Sequence, residues 1–391
     1  MDNAATTYTA PGVLEEMLPY FTESFGNPSS IYSFSERNRK AIAKAREQVA
    51  RALNAEPEEI FFTSGGTESD NWALKGIAFA NKDRGNHIVT TRIEHHAILH
   101  SADFLARNGF DVTYLDVDEL GRVNPADVEK AITDGTILVS VMFANNEVGT
   151  IQPIKEIGAL CRKKGITFHT DAVQAMGHIP IDVKDMNIDL LSMSAHKFHG
   201  PKGVGALFIK KGVKIENFMH GGGQERGRRA TTENVPGIVG LGKALEIAFN
   251  KLPEERRRLS AMRDRLIKGI MDRVPHTKLN GAEGDGRLPN NVNLSFIGVE
   301  GETMLYDLDD AGISASTGSA CSSGSLEPSH VLMALGLEHA MAHGSLRLTL
   351  GDSTSDEDID YVIDILPGIV TRRRAMSPLW KEYLNKAEEV R

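Results

Sequence analysis

Cysteine is scarce in this 391-residue chain, occurring only at Cys161 and Cys321. Two thiols cannot build a disulfide framework or a four-cysteine zinc site, and a reducing, cytoplasmic setting is the simplest expectation. Long apolar runs are missing as well. No stretch approaches the roughly 18 residues that a membrane-spanning helix needs. There is no basic excess: Lys and Arg number 44 against 53 Asp and Glu, a net charge of -9, so direct nucleic-acid binding is not expected. The basic runs Arg256-Arg257-Arg258 and Arg372-Arg373-Arg374 lie beside Glu or polar residues in helical segments and read as solvated helix faces. The first residues, Met1-Asp2-Asn3-Ala4-Ala5, lack a basic segment followed by an apolar one, so no secretory signal is read there. Neither a Walker A pattern nor G-x-G-x-x-G appears, which leaves ATP and NAD without their usual phosphate loops.

What is present is an ordinary globular composition, 41% hydrophobic and 25% charged, in a chain long enough for two domains. Apolar, strand-like segments alternate with amphipathic ones from Ile60 to Ser194. That alternation predicts a mostly parallel sheet covered by helices. Ser33 with Glu36 reads as a capping box opening a helix to about Leu53, and another helix is expected over Asn71 to Ala80. Beyond Gly240 the pattern loosens into a long helical stretch, with a break or kink expected at Pro253, followed by a smaller α+β portion. The expected division is a large domain over 15–250 and a small one formed by 1–14 and 251–391.

Six places along the chain carry chemistry. Ile188 to Leu191 feeds into Ser194-Ala195-His196-Lys197, which places a lysine where an α/β sheet keeps its ligands, and such a lysine can form a Schiff base. Thr63-Ser64-Gly65-Gly66-Thr67 joins a strand to a helix and suits an anion. Asp171, at the end of His169-Thr170-Asp171, could hold a pyridine nitrogen protonated. His95 follows the strand at His87. It could stack on a flat ring or shuttle a proton, whereas the adjacent pair His95-His96 faces two ways and suits no metal. Cys321 lies among small polar residues, as a reactive thiol does, while Cys161 shares a helical face with Ile154 and Ile157 and reads as inert. Arg347 alternates with Leu346 and Leu348 in a strand, and its fork suits a carboxylate. Taken singly, most of these are a strand-end lysine, a glycine turn, a capping aspartate and an outward arginine. Together they are not.

The set resembles the cysteine desulfurases, pyridoxal-phosphate enzymes of the class-V aminotransferase family and fold type I, in the branch that supplies sulfur for iron–sulfur clusters. The resemblance runs from Asp2 to Thr7 through Gly26-Asn27-Pro28-Ser29-Ser30, Thr67-Glu68-Ser69, Asn145-Asn146-Glu147, His196-Lys197 and Gly221 to Gly227, and on to Gly318-Ser319-Ala320-Cys321. It implies that Lys197 carries the cofactor as a Schiff base and later acts as acid and base. Asp171 would pair with the pyridine nitrogen, Gln174 would contact the ring hydroxyl, and His95 would stack on the ring. Gly66, Thr67, Ser194 and His196 would hold the phosphate. Thr232 would reach the phosphate of the other subunit, which implies a homodimer. Asn146 and Arg347 would bind the carboxylate of L-cysteine. Cys321 would take its sulfur as a persulfide, leaving alanine, and pass it to an iron–sulfur scaffold protein or another acceptor. No resident metal is implied, only transient contact of Cys321 with a cluster. The small-residue setting of Cys321 resembles the branch with a longer, mobile cysteine loop. Phe198-His199 stands where Ile-Tyr is frequent, a departure that bears on packing. Alternatives on the same scaffold are an aminotransferase or a selenocysteine lyase, and outside catalysis a paralogue that only docks partners.

Overall fold

The computed structural model describes residues 1–318 and 328–389. Its centre is a seven-stranded sheet whose order is β1 (Ile60–Thr63), β7 (Gly205–Ile209), β6 (Leu190–Ser194), β5 (Thr167–Asp171), β4 (Thr136–Ser140), β2 (His87–Thr91) and β3 (Asp111–Leu115). From β6 to β3 every pairing is parallel, and β7 runs antiparallel to both its neighbours. A second, antiparallel sheet is ordered β10 (Ser345–Thr349), β9 (Asn291–Phe296), β8 (Thr277–Leu279).

Helices cover the large sheet. They include α1 (Glu36–Leu53), α2 (Gly66–Ala80) and α3 (His96–Ala106). One apolar core holds Val49, Leu53, Phe168, Leu191 and Phe208; another, beneath α2, holds Trp72, Leu74, Ile77 and Leu190. Strands buried on both faces explain the continuous apolar runs in the sequence. The long helix α4 (Val235–Arg273) serves both halves of the molecule. Its first part, including Ile238, Leu241 and Leu245, packs into the large core, and Leu259, Leu266 and Ile270 pack into the core of the small sheet. That second core is completed by α5 (Asp356–Met376) through Ile359, Val362 and Leu366.

Four sequence expectations are corrected. The capping box at Ser33 does not form. Ser33–Ser35 makes a 3-10 turn, and no side chain caps α1. Pro253 does not break α4, which continues through it as one helix. Arg374 is not a solvated face residue. It is buried and donates to the carbonyls of Pro275, His276 and Ile297, tying α5 to the small sheet's loops. Finally, α2 starts at Gly66, five positions before the predicted Asn71. Cys161 is buried, as expected, and burial pushes its thiol up to about 12. Among the described residues no helix is long and apolar enough to cross a membrane.

Candidate active site

Parallel strands end together, and here β2, β4, β5 and β6 open onto one cavity of about 380 Å³. Ten of the twelve residues singled out from the sequence line it: Gly66, Thr67, His95, Asn146, Asp171, Gln174, Ser194, His196, Lys197 and Arg347. Of the other two, Thr232 is exposed and apart from the cavity, and Cys321 lies outside the described residues.

The early start of α2 puts a helix N-terminus at the cavity wall. No side chain caps it, so its first N–H groups stand beside Thr67 and Ser194. Gly66 is required there. A Cβ at that position would lie 2.7 Å from Val173 Cγ2, so only glycine lets the helix approach the end of β5 this closely. Behind this turn Glu68 takes a bidentate ion pair from Arg229, at 2.7 and 2.8 Å, and accepts the Ser64 N–H. The pair anchors the segment leading to Thr232, in which Thr231 adopts a left-handed φ of 104°.

Lys197 follows β6 through a short 3-10 turn, and its Nζ donates to the carbonyls of Ala4 and Ala5. The N-terminal segment is thereby folded over the cavity. Gln174 Nε2 donates to Ala4 O at 3.1 Å, and His196 Nδ1 lies 3.1 Å from Thr6 Oγ1. Asp171 is buried, with Oδ1 accepting the Val173 N–H at 2.9 Å. Burial raises its carboxyl, and the neighbouring Lys197 charge draws it back.

His95 caps α3, with Nδ1 accepting the Ala97 N–H at 3.1 Å. An accepting Nδ1 fixes the neutral tautomer with its proton on Nε2. Burial, followed by the Lys197 charge and the nearby His96, His330 and His100, pushes this imidazole down to about 4. It therefore gains charge only as pH falls through about 4, not near the usual 6.5. Histidine-labelled NMR is expected to show one ring resonance, missing in His95→Gln, that stays neutral from pH 7 to 5. A midpoint above 6 would contradict this. His96 does not line the cavity; its ring stacks 5.1 Å from His100 and lies tilted 4.8 Å from His330.

Arg347 reaches the cavity from the small sheet. It is 2% exposed; Nη1 donates to Asn146 O and Nη2 to Asp2 Oδ1, both at 3.0 Å. Its Nε is buried with no hydrogen-bond partner among the described residues. Sequence reasoning missed Asp2 as this arginine's counter-ion, the Ala4 and Ala5 carbonyls, and Asp70, which lines the cavity one turn after Gly66. The i to i+4 spacing from Gly66 would have found Asp70 once the helix was started at the right residue.

The donor set fits pyridoxal phosphate. An uncapped helix N-terminus with Thr67, Ser194 and His196 suits a phosphate, a buried carboxyl suits a pyridine nitrogen, and a strand-end amine suits an aldehyde. The cavity volume falls within the range of small-molecule sites.

Comparison with known proteins agrees. The family model described as aminotransferase class-V matches residues 1–362. A protein named cysteine desulfurase IscS from Clostridium botulinum strain Hall is 68% identical over 390 residues, covering 100% of this chain and 98% of the relative. Its namesake from Methanosarcina thermophila is 60% identical over 384 residues, covering 98% and 95%. Among solved structures, a NifS-like protein is similar with a TM-score of 0.89 and 41% identity, covering 95% of this chain and 98% of that one. A structure described as SspA in complex with cysteine has a TM-score of 0.80 and 40% identity, covering 89% and 97%.

Proposed function

The chain belongs to the class-V aminotransferase family and is a pyridoxal-phosphate-dependent cysteine desulfurase, and from that premise we propose how its residues divide the reaction. The observation that carries the assignment is the meeting of Lys197, Asp171, His95 and Arg347 in one cavity, from separate strands of two sheets. Gly66, Thr67, Ser194 and His196 would hold the cofactor's phosphate, Asp171 its ring nitrogen, Gln174 its ring hydroxyl, and Lys197 its aldehyde carbon. When bound, the cofactor supplies an electron sink for the α-carbon of the substrate.

The chain's own residues do the rest. Arg347 and Asn146 would hold the carboxylate of L-cysteine. The Arg347 Nε–H, buried and without a partner among the described residues, is the part of the fork left over once Asp2 and Asn146 are served. Lys197 would move the proton at the α-carbon. His95, neutral and with its proton on Nε2, would stack on the ring and relay a proton. The Cys321 thiolate would attack the substrate sulfur. An S–S bond forms, the substrate's Cβ–S bond breaks, and its electron pair stays with the three-carbon fragment, which takes up a proton to become alanine.

The same reading divides the chain into a large domain over 15–250 and a small one over 1–14 and 251–391. It is supported by the separate cores and by the bridge between Asp2 and Thr349, while Val13 packs into the large core. It also takes the enzyme to be a cytoplasmic homodimer in which Thr232 of the partner subunit completes the phosphate site. The exposure of Thr232, and the anchoring of its segment through Arg229, support that arrangement. The persulfide would pass to an iron–sulfur scaffold protein or another sulfur acceptor.

The test is product analysis. Holoenzyme given L-cysteine is expected to yield alanine and one extra sulfur on Cys321, read by alkylation and peptide mass. A 2-oxo acid product with no persulfide would overturn the reading in favour of transamination.

A further inference from the structure

Three buried carboxyls cluster at the cavity, Asp70 and Asp171 in its lining and Glu94 outside it, where the reaction described above uses one. Asp70 on α2 is 1% exposed and lines the same cavity as Asp171. Its Oδ1 has no hydrogen-bond partner among the described residues. The nearest imidazole, His169 on β5, is 3.8 Å away at Nε2. That ring is already engaged, with Nδ1 2.9 Å from Ser140 Oγ and Nε2 3.0 Å from Ser192 Oγ. Complete burial pushes it down to about 3, so it brings no positive charge. Glu94, after β2, is equally buried. Its Oε1 accepts from the Thr91 hydroxyl at 2.7 Å and the Met142 N–H at 2.9 Å, while Oε2 has no partner among the described residues.

The charged and titratable groups around Asp70 are therefore His169 and Asp171 on β5, Glu94 after β2, and Lys197 after β6, whose charge is felt at Asp171. Among the described residues, Lys197 is the cation whose charge is felt within this group of three buried carboxyls, Arg347 in the same lining being paired with Asp2. Full ionisation would bury two uncompensated negative charges, which costs far more than holding protons. Burial first, and then the Asp171 charge, drive the Asp70 carboxyl well up; the Ser192 hydroxyl pulls it back, and the Glu94 charge adds a smaller push upward.

We propose that Asp70 is a positioning residue that holds a proton so that Asp171 need not. The two carboxyls carry one negative charge between them, and it rests on Asp171 against the ring nitrogen. This rests on the cofactor assignment above. A neutral Asp70 lets a second carboxyl stand in the cavity wall without competing for the pyridine proton. It also explains how α2 can carry an acid one turn from the N-terminus that receives the phosphate.

Infrared spectroscopy of holoenzyme carrying carboxyl-labelled aspartate tests this directly, because the label shifts aspartate bands and leaves that of Glu94 in place. Near neutral pH the wild type is expected to show the carbonyl stretch of a protonated aspartic acid. D70N should lose that band and E94Q should keep it. A wild-type spectrum without the band means both aspartates are ionised, and a band that survives D70N places the proton elsewhere. Either result overturns the proposal. If D70N does not fold, the wild-type band alone still decides whether a protonated aspartate exists, and its absence ends the matter. Cofactor uptake, read from visible absorbance of the same sample, separates this outcome from failure of the cofactor assignment. A protein that takes up no pyridoxal phosphate refutes that assignment, whereas one that takes it up without the band refutes only the role of Asp70.

Discussion

Lys197→Ala is expected to lower sulfide release from cysteine by at least about 10⁴-fold while leaving the fold intact. The magnitude is that of deleting a group proposed both to make the covalent attachment and to move the proton; removal of one such residue from a catalytic unit costs nearly as much as removing the unit. The side chain is half-buried and not part of the apolar cores, so its loss opens no large internal void. What it does leave is local. The Ala5 carbonyl loses its side-chain donor while Ala4 keeps Gln174, a loss of about 1–3 kcal/mol at most if water cannot replace it. Asp171 and His95 also lose the nearby cation. Asp171 rises further, and His95 relaxes upward but stays low because burial is the larger cause. Lys197→Arg is expected to fail equally, since a guanidinium keeps its proton and cannot become a Schiff base. Borohydride reduction followed by mass analysis checks the assignment. The wild type should gain one cofactor mass on the peptide containing Lys197 and the variant none. Activity within tenfold of wild type, or label found on Lys202, would refute it.

Much of this site could be read in the sequence because parallel strands have a directional logic. Asp171, Lys197 and His95 were each placed by the same reasoning, that a polar residue just past the C-terminal end of an apolar strand faces the ligand crevice. The three do converge on one cavity. Residues whose role depends on a contact across the chain were less visible. Asp2 pairs with Arg347 over 345 positions, and Ala4 and Ala5 offer only backbone oxygens to Lys197. Nothing in a local pattern marks such partners. β7 escaped notice for a different reason. Gly205 to Ile209 follows a Gly/Pro turn too closely to fit the strand–helix rhythm, and it enters the sheet antiparallel, between β1 and β6. The start of α2 was misplaced because glycine at a first helical position reads as a breaker. Here it is demanded by Val173, and the misplacement hid Asp70. Arg374 was read as solvent-facing from its basic neighbours, yet three carbonyls buy its burial.

Cys321→Ser is expected to separate the two halves of the chemistry. Among the described residues, the cavity assigned to cofactor and cysteine is lined by residues between Ala4 and Lys197, together with Arg347. A substitution at 321 changes none of these side chains, and cofactor absorbance together with the spectral change on adding cysteine should survive. Sulfur transfer should not. A serine hydroxyl is not ionised near neutral pH and is a poor acceptor for sulfur, while a thiol has a usable thiolate fraction even at its ordinary pKa of about 8.5. Loss of alanine and sulfide formation by about 10³-fold or more is the expected size, that of removing a nucleophile. The described chain on either side supports a link between this segment and the substrate site. Ser316 is bridged to Arg347 by backbone hydrogen bonds in both directions, and its hydroxyl donates to Asp2 at 2.7 Å. On the far side, the Ser329 hydroxyl donates to Glu147, a buried carboxyl that sits next to Asn146 in sequence. One approach thus rests on Arg347, assigned to the substrate carboxylate, and the other on Glu147, the sequence neighbour of Asn146. Arg347→Ala should accordingly weaken cysteine binding in the spectral titration, whereas Cys321→Ser should not. A serine variant that still forms alanine at the wild-type rate would remove Cys321 from the reaction and return the chemistry to a lyase that needs no thiol.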